Sequence, residues 1–260
     1  MVCTRLFAVG ILAAMPVLAW SYDSAFTLAF ENPSDSEGWE DTTNGQSSVV
    51  TGEKVSVDTP AFPVPPESAP NFNGTNWLRL GVPTQAFGVG TYTYDGRAGG
   101  TATDATDFVI TADVYINTTV DHRYQVALFG RWTAGAGNAP LEVFYSHNTP
   151  SQPNGFGWRH GGITTQYNGF TTTTVTSQWV RMKLDVKDNQ AFASIDQERD
   201  GVYDFVSPPL ITTALSPGRI GFQMVINDPA NGSAGLPGKF GYFDNLTYVP
   251  YSRISDWSVY

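Results

Sequence analysis

Between positions 132 and 170 the chain gathers flat aromatic side chains among polar ones. Trp132, Tyr145, Trp158 and Tyr167, with Phe170 beside them, are rings of the kind that stack on the apolar faces of sugars, and His147 stands close enough to Tyr145 to bond a hydroxyl. Such a site recognises its ligand by contact and hydrogen bonds and needs no net charge. The competing use of the same rings is to fill a core. A second candidate is the run Asp196-Gln197-Glu198-Arg199-Asp200-Gly201-Val202-Tyr203-Asp204. It sets Asp196, Glu198, Asp200 and Asp204 at the first, third, fifth and ninth places of a loop with Gly201 at the sixth, as a calcium loop does. Ser207 stands where an EF-hand has its bidentate glutamate. Asp200-Gly201 is also a strong tight-turn dipeptide, so a plain β-hairpin competes with the ion. A further oxygen-rich stretch, Asn227-Asp228-Pro229-Ala230-Asn231, could join Asp244. No cofactor is required by these patterns, and calcium is the one ion they suggest.

Strands must position these groups. Phe108, Ile110, Ala112, Val114 and Ile116 alternate with Val109, Thr111, Asp113 and Tyr115, the pattern of a strand with one buried face. Val180, Met182, Leu184 and Val186 alternate in the same way with Arg181, Lys183 and Asp185. Ile220, Phe222, Met224 and Ile226 form a third series, and Phe240 to Val249 closes the chain's pattern. Tyr124 to Trp132, Leu141 to His147, Phe156 to His160 and Trp77 to Leu80 read as further strands. Ala61 to Pro70 holds four prolines and reads as a surface loop. No stretch beyond the N-terminus has a helical apolar period. Many strands at turn-separated spacing predict an all-β, antiparallel two-sheet sandwich or jelly roll.

The N-terminus has the order of a signal peptide. Arg5 gives the positive charge, Leu6 to Leu18 the apolar run, and Val17-Leu18-Ala19 the small-x-small cleavage pattern. The run is shorter than the roughly 20 residues of a membrane span. The expected organisation is a signal peptide over 1–19 and a single β-sandwich domain over 20–260, without a span in the mature chain. The expected location is secreted or at the cell surface. Cys3 is the only cysteine, so removal of 1–19 leaves none, and the core alone must hold the domain. A formal net charge of −10 disfavours nucleic acid as partner, because that affinity rests on basic side chains. A polysaccharide or other glycan suits such a chain better.

Gln178-Trp179-Val180-Arg181-Met182-Lys183-Leu184-Asp185-Val186, followed by Ala193-Ser194-Ile195-Asp196, resembles the concanavalin A-like lectin/glucanase superfamily, in particular its laminin-G-like bacterial members. Gly218 to Phe222 and Phe243-Asp244-Asn245-Leu246-Thr247-Tyr248 resemble its closing strands. The resemblance implies a jelly roll in which the terminal strand pairs with one near Phe26 to Phe30. Glycosidases of that superfamily carry an E-x-D-x-E strand, and its lyases carry arginine-rich and Q-x-H strands. Neither pattern occurs here, and Glu142 in Leu141-Glu142-Val143-Phe144-Tyr145 has no acidic residue two places away. The leading expectation is a lectin-like, carbohydrate-binding domain without catalysis. A structural or adhesive sandwich of the cell surface, or a polysaccharide lyase or glycoside hydrolase of the same fold, are the alternatives.

Overall fold

The computed structural model describes residues 24–30, 39–41, 53–56, 76–81, 91–96, 107–118, 123–132, 141–147, 154–159, 168–169, 177–188, 190–211, 218–228, 234–235 and 240–251. The expected signal peptide, the proline-rich loop, Tyr167 and Phe170 lie outside them. The strands are β1 (Phe26–Leu28), β2 (Trp39–Asp41), β3 (Glu53–Ser56), β4 (Asn76–Gly81), β5 (Thr91–Gly96), β6 (Phe108–Ile116), β7 (Arg123–Trp132), β8 (Leu141–His147) and β9 (Gly155–Arg159). They continue as β10 (Asn168–Gly169), β11 (Gln178–Lys187), β12 (Gln190–Asp196), β13 (Phe205–Val206), β14 (Leu210–Ile211), β15 (Arg219–Asp228), β16 (Ala234–Gly235) and β17 (Phe240–Pro250).

Two sheets result. The first runs β13-β12-β11-β6-β17-β4-β3, with β1 added on β17 and β14 on β12. The second runs β10-β9-β8-β7-β15-β5-β2, with β16 on β15. The architecture is an antiparallel two-sheet jelly roll, as the alternation predicts. Among the described residues no helix is long and apolar enough to cross a membrane. The terminal strand pairs with the N-terminal one as expected, through Phe26↔Tyr248, Thr27↔Thr247 and Leu28↔Leu246.

The apolar phases of the three best-patterned strands meet between the sheets. Ile110, Val114, Val180, Met182, Leu184, Ile220, Phe222 and Met224 are all fully buried there. Period two fixes which side chains share a face, because successive β-carbons point to opposite sides of a strand. The outward phase holds a surprise. In β6 and β11 part of it is buried too, with Asp113 at 0% exposure. Alternation in the sequence suggested a solvated face, yet the segment after β12 folds back over it and lays Arg199 against Asp113.

The expected hairpin forms between β12 and β13, registered as Ser194↔Val206 and Ile195↔Phe205. Its connection is the longer loop 197–204 rather than a tight turn on Asp200-Gly201 alone. Arg199 (φ 58°) and Gly201 (φ 92°) both take the left-handed region there. Glycine is needed at 201 because a β-carbon at that φ strains the backbone.

Candidate functional site

Strands β8 and β9 decide where the aromatic residues point. In β8, Leu141, Val143 and Tyr145 join the core, which turns Glu142, Phe144 and Ser146 to the other face. In β9, Phe156 and Trp158 turn inward in the same way. Tyr145 is 3% exposed and Trp158 5%. The Tyr145 ring packs against Phe156 at 5.6 Å and Tyr124 at 6.5 Å between centroids, and burial pushes its phenol up to about 12. Neither ring offers an open stacking face in this structure. The sequence expectation of a platform on these two therefore needs correcting: the local run Leu-Glu-Val-Phe-Tyr has apolar residues on both phases, and only packing chooses between them. His147 is half-buried at the end of β8, in register with Tyr124. Trp132 ends β7, opposite Arg219.

On the outward face of the second sheet the same strands carry polar groups. Glu142 is fully buried, with Arg159 Nη2 at 2.6 Å from Oε2 and Gln125 Nε2 donating to Oε1 at 3.1 Å. Gln125 comes from β7, Glu142 from β8 and Arg159 from β9, so three adjacent strands build the cluster. Burial raises the Glu142 pKa above the ordinary carboxylate range, while Arg159 and Gln125 pull it back down. Ser146 and Gln223 are buried polar residues on the same phase. Among the described residues, no second carboxylate stands on the strands beside Glu142. Along its cross-strand row, Glu142↔Phe129, Phe129↔Gly221 and Gly221↔Asp95, the next acidic position lies three strands away. That is about 14 Å at ~4.8 Å per strand. Paired-carboxylate hydrolysis works at roughly 5 to 9.5 Å, so this row does not supply its second group.

The acidic loop is the third locus. Carboxylate oxygens of Asp196, Glu198 and Asp204 all lie within 4.8 Å of one another, with Asp196 buried and the other two exposed. Backbone amides organise them. Asp196 Oδ1 accepts from Asp200 N at 3.2 Å and Oδ2 from Gly201 N at 2.9 Å, while Asp204 Oδ2 accepts from Gln197 N at 2.8 Å. Asp200 turns to its own loop, accepting from Val202 N at 2.8 Å. The Glu198 pKa is raised by desolvation first and then by the Asp204 and Asp200 charges. Asp244, by contrast, does not join Asn227 and Asp228. It lies in the first sheet in register with Asp113, whereas they end β15 in the second.

Sequence reading missed the charged row on the first sheet. Asp196↔Arg181, Arg181↔Asp113 and Asp113↔Asp244 are successive cross-strand partners on β12, β11, β6 and β17. Arg181 donates to both Asp113 oxygens, Nε to Oδ1 at 2.9 Å and Nη2 to Oδ2 at 3.2 Å. Asp113 Oδ2 also accepts from Arg199 Nη1 at 3.4 Å and from Asn245 Nδ2 at 3.1 Å. The one signal available was a charged side chain in mid-strand on each of β6 and β11, Asp113 and Arg181, which reads equally well as solvent-facing.

The chain matches no protein-family model, and no curated protein matches it in sequence. Solved structures do match. A native glycosidic hydrolase aligns at 12% identity over 89% of this chain and 98% of that one, with a TM-score of 0.51. The carbohydrate-binding module CBM66 from Bacillus subtilis aligns at 13% identity over 81% and 94%, with a TM-score of 0.45. The Ca2+/Man3GlcNAc-bound lumenal domain of VIP36 aligns at 8% identity over 86% and 87%, with a TM-score of 0.49. Likeness at such identity speaks for architecture and not for activity. The likeness shows the fold alone, an all-β, antiparallel two-sheet jelly roll.

Proposed function

We propose that the protein is an exported, lectin-like domain that binds a glycan without cleaving it. The signal peptide covers 1–19 and one sandwich domain covers 20–260. The observation that carries the reading is the Gln125–Glu142–Arg159 cluster on the outward sheet face, in which the buried carboxylate and amide fix Arg159, the most exposed of the three, in one orientation. Tyr145 and Trp158 brace that cluster from the core side of the same two strands. Ligand contact is assigned as well to His147, at the end of β8, and, on residue type alone, to Trp132 and Tyr167. A glycan array with residues 20–260 tests the reading. Binding to a polysaccharide, weakened at least about tenfold by Arg159→Ala and without release of reducing ends or unsaturated products, is the expected result. Released ends would move the protein to the enzymes.

The same reading gives loop 197–204 a calcium ion. The three converging carboxylates and the like-charge pressure on Glu198 support it, and each Asp196 oxygen keeps a second lone pair beyond its amide bond. Asp196, Glu198 and Asp204 would hold the ion and Asp200 would shape the loop. Calcium should raise the thermal midpoint of the wild type and leave Asp204→Asn unmoved. Equal midpoints with calcium and with chelator would remove the ion from the account.

A structural or adhesive sandwich of the cell surface is the second reading, favoured by the burial of Tyr145 and Trp158. An array without any bound glycan would leave that reading in place.

A further inference from the structure

Strand β17 is edged on one side by β6 and on the other by two different partners. Strand β4 covers it from Phe240 to Phe243, and β1 covers it from Leu246 to Tyr248. Between the two, the register on the β6 side shifts from Asp244 to Thr247, and Asn245 takes φ 49°. The bulge is where β17 leaves one edge partner and takes up the other. Beyond it the described residues that fill this stretch of edge are those of β1.

What fills the slot is short but well matched to it. Leu28 and Phe30 are fully buried, Thr27 is exposed, and Ala29 is half-buried, so the segment alternates as the slot requires. Phe26 stacks on Tyr248 at 5.1 Å and Phe30 approaches Phe222 of the second sheet at 6.4 Å. Only three register pairs hold β1, against the nine that join β11 to β6. Its partners are also remote: Thr27 and Thr247 are 220 residues apart in sequence. Contacts of such separation close a very long loop and form late. A strand held by so few pairs gives up little pairing when it leaves its slot.

We propose that residues 24–30 are a detachable plug: they seat last, they leave first, and the vacated slot along Leu246–Tyr248 accepts an extended segment of the plug's own sequence. The device is independent of what the protein binds. Opening it exposes the β17 edge and the bed of Leu28 and Phe30 while the rest of both sheets stays paired.

Two measurements on the 20–260 protein test it, together with a variant carrying Thr27→Cys and Thr247→Cys. The two threonine hydroxyl oxygens are 3.4 Å apart, and oxidation can staple the plug because no other cysteine remains in that chain. Hydrogen exchange in the wild type should show 24–30 exchanging at least about tenfold faster than 178–187, through a local opening. The staple should abolish that difference. A biotinylated peptide with the sequence of residues 24–30 should be captured by the wild type and by the reduced variant, and not by the oxidised one. Protection of 24–30 equal to that of 178–187 in the wild type overturns the proposal. So does failure of the wild type to capture the peptide, or equal capture with and without the staple. Should the double variant fail to fold, the two wild-type measurements decide.

Discussion

Asp113 illustrates what a single buried carboxylate requires. It has no exposure, and it is tolerated because Arg181, Arg199 and Asn245 all donate to it. Removing one partner of such a network strands the others in a place water does not reach. Asp113→Ala should therefore cost about 3–5 kcal/mol in urea unfolding. An unchanged midpoint would mean that the arginines relax to solvent. Glu142 makes a different prediction, through pH. Its folded pKa is raised by burial, so its contribution to stability is present below the ordinary carboxylate pKa and is lost as pH rises through the raised value. Wild type should lose stability relative to Glu142→Gln between pH 4 and neutrality. Parallel stability curves for the two proteins would show that Arg159 and Gln125 fully offset the burial.

Strands act through their phase. Leu184 sits at the centre of β11, buried between β6 and β12, in register with Ile110 and Ala193. Leu184→Ala should cost about 2–5 kcal/mol, for lost transfer free energy and the cavity left behind. Gly130 in β7 shows the opposite constraint. A β-carbon there would run into the ring of Phe108 on the facing sheet. Gly130→Ala should cost about 1–3 kcal/mol by overpacking, read in the same unfolding assay. A neutral result would show that the Phe108 ring can shift aside. The second strand of the pair that brings glycine and ring together comes from the other sheet, so this fit belongs to the sandwich and to neither strand alone.

Over the whole molecule, chain ends and charge set the behaviour. β1 and β17 join segments some 220 residues apart in sequence, which makes the fold rich in distant contacts and slow to form by the general trend of all-β proteins. Export should remove 1–19, and the mass of secreted material should begin at Trp20. A mass that includes Met1 would remove the signal peptide and the proposed location together. The net charge of −10 coexists with a cluster in which Arg159 and Gln125 face one carboxylate. The local chemistry of that cluster is thus set by a few neighbouring strands rather than by the charge of the chain.

Period-two alternation carried most of the architecture on its own. Side chains two apart share a face whatever the tertiary context, so Ile110, Val114, Met182, Leu184 and Phe222 were legible as core, and Leu141–His147 as a strand with its observed bounds. The pairing of β1 with β17 was also legible, through the resemblance of the closing strands. The site was not. In β9 the alternation itself puts Phe156 and Trp158 on one phase against Gly155, Gly157 and Arg159, and in β8 only Phe144 blurs the phase shared by Leu141, Val143 and Tyr145. What the sequence left open is whether that phase meets the other sheet or a ligand, and packing between sheets makes the choice. The charged row on the first sheet escaped for a related reason. Arg181 and Asp196 face each other across the β11–β12 hairpin, but Asp113 lies 68 residues from Arg181 in sequence, and only the register of β6 on β11 makes those two neighbours. A carboxylate looks the same in sequence whether it faces water or two arginines, because its burial is decided by what folds over it.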